Sequence, residues 1–155
     1  MSNGELINTY RKLQNGSDIR GIALEGVSGE VPNLTEREAS LLSAGYIYWL
    51  SGQTGVPAEK LTVAGGRDPR LSGEALKTAV VMTMEGLGVM VLDAGLASTP
   101  AMFMSTLFPN FNCDGAMMIT ASHLPWNRNG FKYFYKKGGL DKGDITAIID
   151  WAFAN

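Results

Sequence analysis

Apolar residues along this chain recur in two rhythms, and the switches between them mark its elements. In residues 35–51 the spacing is helical. Leu41, Leu42, Gly45, Tyr46, Trp49 and Leu50 fall on one stripe, and Thr35-Glu36-Arg37-Glu38 forms a capping box ahead of them. A helix is predicted there, its stripe against a sheet. Residues 61–64 (LTVA) read as a short strand that Gly65-Gly66 ends, and residues 73–85 as a second helix with Ser72 as N-cap and Gly86 and Gly88 as its stop. A buried strand is predicted at 89–92. Ser98-Thr99-Pro100 places a capping hydroxyl before a proline, which starts a third helix through Phe108. Residues 114–119 (DGAMMI) form another apolar run of strand length. Beyond it, Asn129-Gly130 signals a turn, after which Phe131, Tyr133 and Tyr135 alternate with Lys132, Phe134 and Lys136, the period of a strand. Asp141 with Asp144 caps a last helix over 145–153, and the glycine-rich stretch 16–29 predicts loops with a short hairpin.

Strand, helix, strand, helix, strand implies right-handed crossovers. The predicted fold is α/β: three layers, with a mostly parallel mixed sheet and helices on both faces. At 155 residues and 45% hydrophobic content the chain suits one domain with a substantial core, and no repeat or linker divides it.

Charge narrows the function. A formal net charge of -2, with both signs spread along the chain, lacks the basic stripe that nucleic-acid binding requires. Cys113 is the only cysteine and His123 the only histidine, which rules out an internal disulfide and disfavours an ordinary zinc site. No run reaches membrane-spanning length and the first residues carry no apolar signal core, so a reducing cytoplasm is the expected location, with neither membrane nor nucleic acid as partner.

The chemistry concentrates in TASHLPWNRNGFK, residues 120–132. If 114–119 is a buried strand, Ser122 leaves the sheet at a strand end, where open α/β sheets bind ligands. Gly86-Leu87-Gly88 precedes a strand and lacks a third glycine, so it is a helix stop and not a dinucleotide fingerprint. Neither a phosphate loop ending in Gly-Lys-Ser/Thr nor a Gly-x-Ser-x-Gly elbow occurs. A Ser122-His123 dyad is opposed by geometry, since neighbours in an extended segment point to opposite sides. What remains is a hydroxyl, an imidazole and the cations Lys132, Arg20, Arg67 and Arg70, a set suited to phosphate. Structural alternatives stay open: Arg67-Asp68-Pro69-Arg70 also reads as a charged turn entering a helix, Asp18-Ile19-Arg20-Gly21 as a plain turn, and His123 as an ordinary loop histidine.

Three motifs taken together, SDIRG at 17–21, GRDPRLSG at 66–73 and TASHLPWNRNGFK at 120–132, resemble the α-D-phosphohexomutases, the phosphomannomutase and phosphoglucomutase superfamily. The resemblance covers the whole chain but only domain I of that family's four domains. It implies that Ser122 carries the phosphoryl group exchanged with a hexose phosphate through a hexose 1,6-bisphosphate. Lys132 and Arg20 are then its electrostatic and proton-transfer partners, and His123 contacts phosphate or hydroxyl. Asn129 joins Arg20 and Lys132 in holding phosphate or ordering the loop, while Arg67, Asp68 and Arg70 brace it. It further implies Mg²⁺ held by the phosphate on Ser122 and by aspartates of domain II, which this sequence does not contain. Leu124 departs from the asparagine usual after the histidine. The isolated chain is therefore expected to be inactive and to need the C-terminal domains as partners; the alternative is a stand-alone phosphate-binding or interaction module.

Overall fold

The computed structural model describes residues 3–155. Their elements are α1 (Asn3–Arg11), β1 (Gln14–Asn15), β2 (Asp18–Ile22), α2 (Glu36–Thr54), β3 (Thr62–Arg67), α3 (Gly73–Gly86), β4 (Met90–Leu96), α4 (Thr99–Met104), β5 (Gly115–Ile119), β6 (Arg128–Tyr135), β7 (Gly138–Gly139) and α5 (Lys142–Ala154). One mixed sheet runs in the order β1-β2-β6-β5-β3-β4, with β7 paired to β6. Its parallel part is β4-β3-β5, the three strands joined by helical crossovers. Two further pairs are antiparallel because their connections are too short for a crossover: loop 120–127 returns β5 directly into β6, and the Gly16-Ser17 turn returns β1 into β2, while β2 pairs antiparallel with β6 across most of the chain.

The sheet separates two apolar layers. On one face Ile19, Val63, Met117, Ile119, Phe131 and Tyr133 pack beneath α2, α3 and α5. On the other, Ala64, Ala116, Met118 and Phe134 meet Met102 of α4. The alternation read from residues 131–136 thus sends Phe131 and Tyr133 to the first layer and Phe134 to the second, as predicted. The α4 layer is thin. A groove of about 730 Å³ opens between β4 and α4, lined by Leu92, Leu96, Met102, Phe108 and Phe111, and no expected site residue borders it.

The capping signals before α2, α4 and α5 hold. The Glu38 carboxylate accepts from the Thr35 backbone N–H at 3.0 Å, Asp141 and Asp144 cap α5 reciprocally at 2.9 Å each, and the Ser98 hydroxyl accepts from Ala101 N at 3.2 Å. Six expectations change. Asn129-Gly130 makes no turn: both lie inside β6, and the chain reverses earlier, through hydrogen bonds from Leu124 N to Ala121 O and Arg128 N to Pro125 O. Gly65-Gly66 does not end β3 either. A side chain at Gly66 would come within 2.7 Å of Met102 Sδ and 2.8 Å of Ala97 Cβ, so the glycine lets α4 approach the sheet. Ser72 precedes α3 without a side-chain cap, its hydroxyl being taken by Asn129. Helix α4 stops at Met104, well short of Phe108, and β4 continues to Leu96. Finally, α1 is a helix the periodicity did not announce. It leans on α5 through a Tyr10–Phe153 stack with centroids 3.6 Å apart and an Arg11–Asp150 ion pair of 2.8 Å.

Candidate functional site

Parallel strands β3, β4 and β5 end on one edge of the sheet, and the chain leaves β5 there into loop 120–127. Ser122 sits in this loop with φ 55°, in the left-handed region. Serine reaches that region at a cost of roughly 1–2 kcal/mol, so its neighbours must hold it. Thr120 does so at one end: its hydroxyl donates to Asp68 Oδ2 at 2.6 Å and accepts from Ser122 N at 3.0 Å. Arg70 does so throughout. Its Nη2 donates to Ser122 O and Leu124 O at 2.8 and 3.0 Å, its Nη1 to Pro125 O and Arg128 O at 2.9 and 3.1 Å, and its Nε to Asp68 Oδ2 at 3.3 Å. One rigid guanidinium thereby collects four backbone carbonyls between Ser122 and Arg128.

The far end of the loop is tied by Glu30, whose carboxylate accepts from Asn127 Nδ2 at 2.6 Å and Arg128 Nη2 at 2.8 Å. Those bonds, the one from Asn127 foremost, lower the Glu30 pKa below the usual carboxylate range. Asn129 lies beneath, wholly buried, its amide donating to Ser72 Oγ at 2.9 Å. Of the two roles expected of Asn129, holding phosphate or ordering the loop, an amide bonded inside the protein suits the second.

The cations beside the loop come from the β2-β6 ladder. Arg20 stands opposite Gly130, and its Nη1 passes over that glycine to donate to the Thr120 carbonyl, two residues before Ser122. A side chain at 130 would come within 3.0 Å of Arg20 Nη1, so the glycine clears the path. Asp18 binds Arg20 Nη2 at 3.1 Å and Lys132 Nζ at 2.9 Å, drawing both cations to one carboxylate. Burial lowers the Arg20 pKa first and Arg70 adds to this, opposed by Asp18 and Asp68; the guanidinium stays charged regardless.

Arg67 is turned away, its Nε donating to Glu74 Oε2 at 2.8 Å, and it touches the brace only through the Asp68 carbonyl at 3.2 Å. The exposed His123 ring places Nδ1 3.4 Å from Ser122 Oγ. The two do not point apart as an extended segment would require, because the left-handed turn at Ser122 folds them together. Among the described residues nothing else hydrogen-bonds that ring, so the orienting third group of a triad is missing. Leu124 works through its backbone, accepting from Arg70 and donating to Ala121 O at 3.0 Å. Sequence reasoning gave no role in the site to Asp18, Thr120, Glu30 or Ser72. Only Asp18 left a signal, since it shares a strand face with Arg20.

No group of three or more His, Cys, Asp or Glu side chains among the described residues could hold a metal ion. The carboxylates nearest the loop are taken, Asp18 by two cations and Asp68 by Thr120 and Arg70. These residues therefore do not compose a Mg²⁺ cage. No helix among them is long and apolar enough to cross a membrane.

The chain thus presents a serine loop at the carboxyl edge of a mixed α/β sheet, braced from below and flanked by cations. Residues 11–155 match the phosphoglucomutase/phosphomannomutase family, α/β/α domain I, and the chain belongs to that family. It is 36% identical over 139 residues to a phosphoglucosamine mutase of Corynebacterium jeikeium, covering 90% of this chain and 29% of that protein. A phosphoglucomutase/phosphomannomutase of Thermococcus kodakarensis is 41% identical over 95 residues, 61% of this chain and 20% of the relative. A crystal structure of a phosphoglucomutase/phosphomannomutase family protein from Burkholderia thailandensis superposes with a TM-score of 0.71 at 25% identity, over 88% of this chain and 29% of that one. The chain thus spans under a third of the length of these relatives.

The brace predicts a stability effect. The Arg70 side chain is only 12% exposed and makes five hydrogen bonds to the loop and its brace, so Arg70→Ala is expected to cost about 2–3 kcal/mol in urea denaturation. Arg70→Lys should recover only part of this, because one ammonium cannot span four acceptors. Hydrogen exchange of the amides in 120–127 should quicken in both variants. Unchanged exchange in Arg70→Ala would show that the loop holds itself.

Proposed function

We propose that this chain is the phosphoryl-carrying domain I of a hexose-phosphate mutase. In the transfer step the Ser122 Oγ–P bond breaks as a bond forms between phosphorus and a sugar hydroxyl oxygen; the hydroxyl proton is passed on and Ser122 Oγ ends protonated. Return of a phosphoryl group from the other end of the resulting bisphosphate regenerates the carrier. Lys132 and Arg20 neutralise the group in transit, and one or both help to move the proton. His123, within reach of Ser122 Oγ, contacts phosphate or hydroxyl. Asp68, Arg70 and Asn129 keep the loop in the geometry that transfer needs, with Arg67 one contact removed. Mg²⁺, a further expectation of this reading, requires ligands from beyond this chain, as do recognition of the sugar and of its non-reacting phosphate.

The observation that carries this reading is Ser122 itself: an exposed serine held at positive φ by Thr120 and Arg70, in a loop whose Thr120 carbonyl accepts from Arg20, the guanidinium that shares Asp18 with Lys132. Such strain persists where the surrounding structure enforces it, most often at functional positions. The test is intact mass before and after phosphatase treatment, with the modified peptide mapped, on the chain as purified and after incubation with a hexose 1,6-bisphosphate. One phosphoryl group on Ser122 is the expected result, with no isomerisation of hexose 1-phosphate by the chain alone. A Ser122 that stays unmodified under both conditions would favour the non-catalytic module, and full turnover by the chain alone would end the claim that it needs further domains.

A further inference from the structure

Between the two cations stands a carboxylate for which the transfer step has no chemical use. Asp18 Oδ1 accepts from Lys132 Nζ at 2.9 Å and Oδ2 from Arg20 Nη2 at 3.1 Å. The ladder fixes this: Ile19 pairs with Phe131 and Arg20 with Gly130, which leaves Asp18 beside Lys132 on the face away from the larger core. All three side chains are partly sheltered, at 18, 15 and 30% exposure for Asp18, Arg20 and Lys132. The other charges facing Arg20 are Arg70 and Asp68 from the turn after β3, and Asp68 is occupied by Thr120 and Arg70. Asp18 differs in that, among the described residues, its carboxylate meets the two cations alone.

A carboxylate with two oxygens on two cations makes the contacts that a phosphoryl group would make. A phosphoryl group arriving from Ser122 must then compete with Asp18 for the same N–H donors, and it feels the carboxylate's charge as repulsion. We propose that Asp18 is a positioning residue acting as a built-in competing anion. It keeps Arg20 and Lys132 aimed while the site is empty and weakens their grip once a phosphoryl group is present, so that the group remains transferable. This inference rests on the reading of Ser122 as a phosphoryl carrier.

Inorganic phosphate titrated into the chain, followed by the amide shifts of loop 120–127, tests it. Asp18→Asn is expected to bind phosphate roughly fivefold more tightly and Lys132→Gln more weakly by about the same factor, while Asp18→Glu, which keeps the charge, stays within about twofold of wild type. Weaker or unchanged binding by Asp18→Asn overturns the inference, because a residue that only ordered Lys132 would lose affinity on substitution. Should Asp18→Asn fail to fold, the wild-type chain decides: saturating phosphate must shift the carboxyl carbon resonance of Asp18, and a resonance that stays in place overturns the inference equally. Wild-type binding by Lys132→Gln, or a loop that phosphate does not perturb, brings down the carrier reading and this inference with it.

Discussion

Ser122→Gly should abolish phosphoryl transfer while leaving the chain as stable as before, or more stable by about 1 kcal/mol. The reasoning joins conformation to chemistry. At φ 55° a serine is strained and a glycine is not, so removing the side chain relieves a cost. The backbone contacts that hold the loop, from Ser122 N to Thr120 Oγ1 and from Arg70 Nη2 to Ser122 O, do not involve the serine hydroxyl. The hydroxyl is nonetheless the only atom of the residue that can carry phosphate. In a chimera joining this chain to the remaining domains of a family member, mutase turnover should fall by a factor on the order of 10⁴ or more, with urea midpoints unchanged or raised. Ser122→Ala should be equally inactive but less stable than the glycine variant, since it keeps a Cβ at positive φ. Turnover surviving in Ser122→Gly would transfer the carrier role to another residue.

Gly130→Ala should damage fold and site together. A Cβ there would overlap the Ile19 carbonyl oxygen, which belongs to the paired strand and cannot turn aside, and would sit 2.9 Å from Arg20 Cδ. The β2-β6 ladder must open locally and the guanidinium must leave the Thr120 carbonyl. A cost of about 3 kcal/mol or more is expected, with a fall in Tm on the order of 10 °C for a chain of this size. Gly138→Ala serves as a control for loss of a β-glycine in open space: it should cost about 1 kcal/mol from its positive φ alone. A Gly130→Ala variant no less stable than that control, or one retaining the Arg20 contact, would refute the role given to this glycine.

Position 130 also illustrates why part of the site was unreadable. Asn-Gly is a strong local turn signal, yet here the asparagine is pinned under the loop by Ser72 and the glycine is a passage for Arg20. Both reasons lie in residues far along the chain. The Gly65-Gly66 pair misled in the same way, because the atoms that demand Gly66 belong to Ala97 and Met102. Local rules weigh a residue's own conformational freedom, and a close approach between distant segments overrides them.

Period, caps and charge were sufficient for more than half of the architecture. Helical and alternating spacings located α2, α3, α5 and the core strands, capping boxes located two helix starts, and the order of elements implied the crossovers that make β4-β3-β5 parallel. The serine, the histidine and the four cations of interest were likewise visible, since those residue types limit the chemistry whatever the fold. Tertiary structure alone decided which of them meet. It set Arg70 on three loop carbonyls and that of Arg128, turned Arg67 toward Glu74, buried Asn129, brought Asp18 between Arg20 and Lys132, and seated α1 on α5 through partners about the whole chain apart. Periodicity reports which face of an element is buried; it carries no record of the register between strands or of side chains reaching across it, and the candidate site is built from both.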